Sequence, residues 1–143
     1  MDVKFEPGTV KVVAFDDNDK AVAEEEVHTA GKPYQIVLDA DRKTITTNGE
    51  DISFVTVSVV DKNGILCPTA TNQLKFKVSG AGNYRAACNC DATSLEMFHI
   101  DTMKLFSGKL VVLVKSTTTA GDVKLQVNGA GLKSGKLTLV SAE

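Results

Sequence analysis

Leu74-Lys75-Phe76-Lys77-Val78-Ser79 reads as the clearest half-buried strand in the chain. Leu74, Phe76 and Val78 fall on one side, and Lys75, Lys77 and Ser79 on the other. Strict alternation of apolar and polar residues puts one face on a core and the other in water. The same period recurs downstream. Leu110, Val112 and Val114 form one inward set, Val123, Leu125 and Val127 the next, and Leu137 with Leu139 the last. Upstream, Ile36, Leu38 and Ala40 alternate with Gln35, Val37 and Asp39.

Turn signals punctuate these runs. Asn48-Gly49 and Asn63-Gly64 bracket the segment Asp51–Asp61, and Asn-Gly supplies the positive φ angles of tight turns. Within the bracket, Val55, Val57 and Val59 share a face opposite Thr56 and Ser58. Ile52 and Phe54 are out of phase with the valines, which predicts a bulge or bend near Phe54. About seven short antiparallel strands at this turn spacing imply an immunoglobulin-like β-sandwich over 32–143. The chain has no Trp and no antibody-type Cys spacing, so an antibody-type domain is not expected.

Residues 22 to 34, Val-Ala-Glu-Glu-Glu-Val-His-Thr-Ala-Gly-Lys-Pro-Tyr, read as a seam. Before it lies one hairpin, Val10–Phe15 and Lys20–Val27, turned by the Asp16–Asp19 cluster. Both faces of its first strand are fairly apolar, so it wants cover on both sides. An isolated two-stranded hairpin is marginal in water. Residues 1–31 are therefore expected to be the remnant of a preceding β domain, with an edge either exposed or paired with another copy. The chain is then a piece of a larger protein.

Composition narrows the function classes. A hydrophobic fraction of 43% argues against disorder. The net charge of −2 argues against nucleic acid as a partner, and the Lys and Arg residues read as scattered over a solvated surface. No apolar run approaches the roughly 20 residues of a membrane helix. Met1-Asp2-Val3-Lys4 leads straight towards a strand without a signal-peptide pattern.

The stretch Gly80–Gly108 breaks the pattern as a long mixed loop, with at most one helical turn at Thr93–Phe98, capped by Thr93 or Ser94. Met97, Phe98, Met103, Leu105 and Phe106 are expected to pin it down by packing. Cys88, Cys90 and His99 sit in it as a partial thiolate and imidazole set, for which Cys67 or Asp91 would have to be the fourth metal ligand. Cys-x-Cys alone is a weak signal, so no metal and no cofactor are assigned. Cys67, Cys88 and Cys90 are three and cannot all pair internally.

Glu24-Glu25-Glu26 alternates faces in a strand, so its carboxyl groups do not converge on one bond. His28 and His99 lack a sequence link to Ser94 or Cys88 as nucleophile. Gly80-Ala81-Gly82 and Gly129-Ala130-Gly131 do not lead into helices and read as turns rather than phosphate cradles. No residue is assigned a catalytic role. Sugar binding usually relies on exposed aromatic platforms. With Tyr34 and Tyr84 as the only tyrosines, Tyr84 is the single sugar-contact candidate.

Two stretches carry resemblances. Thr44–Ile52 through Val59, followed by Asp61-Lys62-Asn63-Gly64, resembles the bacterial immunoglobulin-like modules of invasin and intimin. More of the chain resembles the C-terminal accessory region of family 2 bacterial β-galactosidases, of the Bacteroides type. The matching stretches are Glu6-Pro7-Gly8 with Val10–Asp16, Glu26–Pro33, Asp51–Gly64, and Phe106-Ser107-Gly108 with Leu110–Ser116. The chain departs from that family at Cys88-Asn89-Cys90, at Asp91–Phe98 and at His99–Met103. The resemblance implies a non-catalytic accessory domain of an enzyme that hydrolyses O-glycosyl bonds, in a periplasmic, cell-surface or secreted setting. Its implied partners are the neighbouring domains of the parent enzyme, with a polysaccharide as a further one and no membrane insertion. A surface adhesion module and a weak carbohydrate-binding module stand as the other readings; the absence of internal repeats favours the enzyme-derived one.

Overall fold

A computed structural model describes residues 4–143. Met1, Asp2 and Val3, where the first segment of the sequence reading begins, lie outside the described residues. Every regular element among the described residues is a strand. Strands β1 (Thr9–Phe15) and β2 (Ala21–His28) form the hairpin, paired from Thr9 with His28 to Phe15 with Ala21. Its turn is built by Asp16, whose carboxylate accepts the N–H groups of Asn18 at 2.8 Å and Lys20 at 2.9 Å. Asp19 takes the left-handed φ of 60° that such a turn requires.

The remaining strands form a two-layer sandwich. They are β3 (Gln35–Ala40), β4 (Thr44–Thr46), β5 (Ile52–Val60), β6 (Gln73–Gly80), β7 (Gly82–Cys88), β8 (Thr102–Lys104), β9 (Lys109–Ser116), β10 (Gly121–Gly129) and β11 (Gly135–Ala142). One sheet has the order β4-β11-β10-β6-β8 and the other β3-β5-β9-β7. The strand total exceeds the expected seven by two, because β4 and β8 span only three residues each and no alternation is readable over that length. All pairings are antiparallel except β4 with β11, which is parallel.

The core lies where the inward sets meet. Val55, Val57 and Val59 from β5 and Leu110, Val112 and Val114 from β9 face Leu74, Phe76, Val123, Leu125, Val127 and Leu139, all buried. Burying each such side chain stabilises the fold by about 1.5–3 kcal/mol. Ile45 on β4 and Met103 on β8 close the ends of this layer.

Three local expectations are corrected. There is no bulge near Phe54: the pairings of β5 with β3 and β9 run without a register shift. Phe54 lies opposite Leu113 on the outer face, half exposed, while Ser53 takes the inward position. Ser53 is satisfied there because its hydroxyl donates to the Asp41 carboxylate at 2.8 Å. The irregular ladder positions are between Ala14 and Phe15 and between Tyr84 and Ala86.

Second, Gly80–Gly108 is not one long loop, since β7 and β8 occupy much of it. Met103 and Leu105 are buried as expected, but Met97, Phe98 and Phe106 are exposed. Third, Thr93–Phe98 forms no helical turn. Asp91 accepts the backbone N–H and hydroxyl of Thr93 at 2.9 and 2.7 Å, which folds the chain into a non-helical turn instead.

Both Asn-Gly pairs do supply positive φ, 73° at Gly49 and 83° at Gly64. Asn48-Gly49 serves a crossing from one sheet to the other rather than a hairpin, because β4 and β5 belong to different sheets. Asn63-Gly64 makes the tight reversal after β5, closed by the Val60–Leu66 bridge.

Candidate functional site

The junction between hairpin and sandwich is organised by Asp61. Its buried carboxylate accepts N–H groups from Gly31 at 2.7 Å, Asn63 at 2.8 Å and Ile65 at 2.9 Å. These hydrogen bonds, Gly31 first, hold its pKa below the ordinary 3.8. A carboxyl group with a depressed folded pKa stabilises the fold above its unfolded pKa, and that contribution is lost as pH falls through the folded value. The urea midpoint of the chain is therefore expected to drop on acidification below about pH 4. Asp61→Asn should be less stable at neutral pH and show a flatter acid limb, read by urea titrations at pH 7 and pH 3.

None of the sequence-flagged acids forms a facing pair. Glu24 is held by Lys11 at 2.9 Å, Glu26 lies 3.5 Å from His28, and Glu25 is opposite Val12 on the other face of the hairpin. His28 also meets the Thr9 hydroxyl at 2.9 Å. His99 sits in the 89–101 connection, beside an open groove whose walls include Arg85, Ser94, Met97 and Phe98. Glu96 reaches that groove too, but its carboxylate accepts the Lys104 N–H at 3.2 Å and so latches the connection to β8.

Among the described residues no three metal-ligating side chains converge. Cys88 and Cys90 are free, and a hydrogen bond from Cys88 pushes the Cys90 thiol up. Cys67 lies elsewhere, buried against the carbonyl of Gly31 at 3.6 Å, and burial pushes its thiol up. Gly80-Ala81-Gly82 carries the chain from β6 to β7 through a single bend at Ala81, and Gly129-Ala130-Gly131 ends β10 in a turn; neither leads into a helix.

Tyr84 has a structural occupation. Its ring stacks on Phe76 with centroids 5.8 Å apart, and its hydroxyl donates to the carbonyls of Phe98 at 3.0 Å and Ile100 at 2.6 Å. Burial, followed by the nearby charge of Asp101, pushes its phenol up to about 12. The ring thus fastens the 89–101 connection to the sandwich. Tyr84→Phe should cost about 0.5–1 kcal/mol and speed hydrogen exchange at Ala87, whose N–H bonds the same Phe98 carbonyl.

Two surface features stand out, the first foreshadowed by the apolar faces of the hairpin strand and the second missed by sequence reasoning. Val10, Val12 and Val27 share one face of the hairpin, each about two-thirds exposed at 69%, 65% and 64%. No element among the described residues covers them. The lysines are not scattered: Lys75, Lys77, Lys104, Lys124 and Lys136 all emerge on the outer face of the β4-β11-β10-β6-β8 sheet. No signal in the sequence joins these five, since only strand order brings them together.

The sandwich from β3 to β11 coincides with a known family. Residues 36–138 match the model for "Glycoside hydrolase family 2 C-terminal domain 5". The chain belongs to this family. It is 43% identical over 141 residues to the β-galactosidase BoGH2A of Bacteroides ovatus, covering 99% of this chain and 16% of that protein. A glycosyl hydrolase family 2 member from Bacteroides cellulosilyticus superposes with a TM-score of 0.94 at 26% identity, over 99% of this chain and 18% of that one. The D00-D0 domain of intimin has a TM-score of 0.54 at 15% identity, over 96% of this chain and 66% of that chain, a likeness of fold alone. The family 2 domain thus spans under a fifth of the length of its enzyme relatives.

Proposed function

We propose that this chain is the accessory, non-catalytic end of a family 2 glycoside hydrolase of β-galactosidase type, one that hydrolyses O-glycosyl bonds. The observation that carries this reading is the 43% identity running through hairpin and sandwich alike to a short part of a β-galactosidase. Glycosidase chemistry takes two carboxyl groups about 5–9.5 Å apart across a sugar. Among the acids described above, Asp16, Asp61 and Asp91 instead hold turns, Asp41 accepts the Ser53 hydroxyl, and Glu24 pairs with Lys11 on the hairpin surface.

In this reading residues 1–31 are the last hairpin of a preceding β domain, and 32–143 are the accessory sandwich. The bare valine face of the hairpin supports the division. Burying Val10, Val12 and Val27 against a preceding layer would each add about 1–3 kcal/mol, which the hairpin alone lacks. The sandwich then serves to hold that layer and space it from its neighbours.

The test uses the full-length enzyme and the segment side by side. The 143-residue segment is expected to release no nitrophenol from aryl β-galactosides. Deleting it from the parent should lower the parent's thermal unfolding midpoint while leaving its bond specificity unchanged. Turnover by the segment alone would overturn the reading.

A further inference from the structure

The basic outer face of the β4-β11-β10-β6-β8 sheet has an ordered pattern. Lys77 lies opposite Gln126, which lies opposite Lys136. Lys124 lies between Ser79 and Thr138, Lys75 between Asn128 and Thr102, and Lys104 opposite Gln73. All five lysines are exposed. Among the described residues, only Lys75 has an acidic partner, Asp101 at a loose 3.9 Å. Asp122, opposite Val140, marks the end of the grid beyond Lys124.

No lysine faces another lysine directly across a strand pair. Direct opposition of like charges destabilises a sheet, and this arrangement avoids it while keeping the charges close. Steps of about 7 Å along a strand and about 5 Å between strands place Lys77, Lys124 and Lys136 within about 10 Å of one another, near the screening length of physiological salt. Their potentials therefore add. Between them stand neutral amides and hydroxyls from Gln126, Asn128, Ser79 and Thr138. The sum is a flat grid of positive charge interleaved with uncharged hydrogen-bonding groups, on a chain whose net charge is −2.

We propose that this face binds an anionic polysaccharide, lying flat across β6, β10 and β11. The proposal rests on the glycosidase-accessory reading for its biological sense and on the charge grid for its chemistry. Negative groups along such a polymer meet the ammonium groups, and its hydroxyls meet the amides and hydroxyls between them. Nucleic acid fits less well: these strands offer no aromatic ring on the lysine face for bases to stack on and no arginine fork for phosphates. A lipid surface fits less well because, among the described residues of β6, β8, β10 and β11, Val140 is the one large apolar side chain exposed, at the far end of the grid next to Asp122, too little to insert.

The probe is polygalacturonate, followed by affinity electrophoresis and amide NMR shifts of the 143-residue chain. Binding is expected, with shifts centred on β6, β10 and β11, and it should weaken as salt rises. The triple variant Lys77→Glu, Lys124→Glu, Lys136→Glu should bind at least roughly tenfold more weakly, and the corresponding triple change to Gln should fall between it and the parent. Lys109→Glu, on the other sheet, should bind as the parent does. Neutral galactan should give no shifts. If the Glu and Gln variants both bind undiminished, the assignment of the face is wrong. If duplex DNA, polyglutamate or phosphatidylserine vesicles bind as tightly as polygalacturonate, the assignment of a saccharide is wrong. Either result leaves the accessory reading to its own deletion test.

Discussion

Replacing Phe76 by Ala is expected to lower the unfolding free energy of the chain by about 3–5 kcal/mol, the usual cost of emptying a fully buried aromatic site. Phe76 is 2% exposed and is among the largest fully enclosed side chains in the sandwich. It stands on β6, the strand that joins β10 to β8. Its ring stacks almost parallel, at 7°, on Tyr84 from the facing sheet. Truncation therefore removes the transfer energy, leaves a void between two sheets, and loosens the ring that fastens residues 98–100. Val78, Val127 and Met103 stand on three hydrogen-bonded strands of the same sheet, which restricts how far the ladder around Phe76 can close the gap. Phe76→Leu should cost much less, because most of the volume is retained. A single domain of this size has about 5–15 kcal/mol in all. Urea titration of the Ala variant should thus show a much lower midpoint, and the Leu variant an intermediate one. A midpoint for Phe76→Ala within error of the parent would contradict this account of the core.

The reason Phe76 could be found without coordinates is local. Alternation over six residues, Leu74 to Ser79, determines which side chains face inward, and that information lies within one strand. The glycine turns at 49 and 64 were legible for the same reason: the positive φ is a property of the residue and its immediate neighbours. Phe54 shows where local reasoning stops. A large apolar residue out of phase with three valines looks like a bulge only if every apolar residue must face inward. The outer face of the β3-β5-β9-β7 sheet is itself partly apolar, with Phe54 against Leu113, so the ladder continues undistorted. Strands β4 and β8 were illegible because three residues carry no period; they exist through Val140 and Gln73 on other strands. The lysine grid was illegible for a related reason. Lys75 and Lys136 are far apart along the chain and are brought to one face only by the order β11-β10-β6. Tyr84 drew notice only as a sugar-contact candidate; that its hydroxyl serves Phe98 and Ile100 was not legible, because the contact depends on how a loop returns over its own strand.

The second large effect is expected at Gly108, in the Phe106-Ser107-Gly108 stretch that the family resemblance singled out. Gly108 adopts φ 74° directly after Ser107 at φ 50°. Two successive left-handed residues turn the chain sharply into β9, and Phe106 and Lys109 bond each other across the turn. The backbone of Gly108 is meanwhile used on both sides. Its N–H donates to Ala70 at 3.1 Å, and its carbonyl accepts the N–H of Val59 at 3.0 Å, so it stitches the loop before β6 to the end of β5. A Cβ placed there would lie 2.2 Å from the carbonyl oxygen of Cys67. That contact is with backbone, which cannot rotate away as a side chain tip could. Gly108→Ala therefore incurs about 1–2 kcal/mol for the left-handed conformation and, beyond it, the displacement of a hydrogen-bonded segment. Ala at Gly64 separates the two contributions. Gly64 has φ 83°, but a Cβ there would point into open space, so only the conformational cost applies. Gly108→Ala should lower the thermal midpoint clearly more than Gly64→Ala and should expose Cys67 to thiol reagents. Equal midpoints for the two variants would mean that the junction yields freely, and that the close backbone of Cys67 does not constrain the entry to β9.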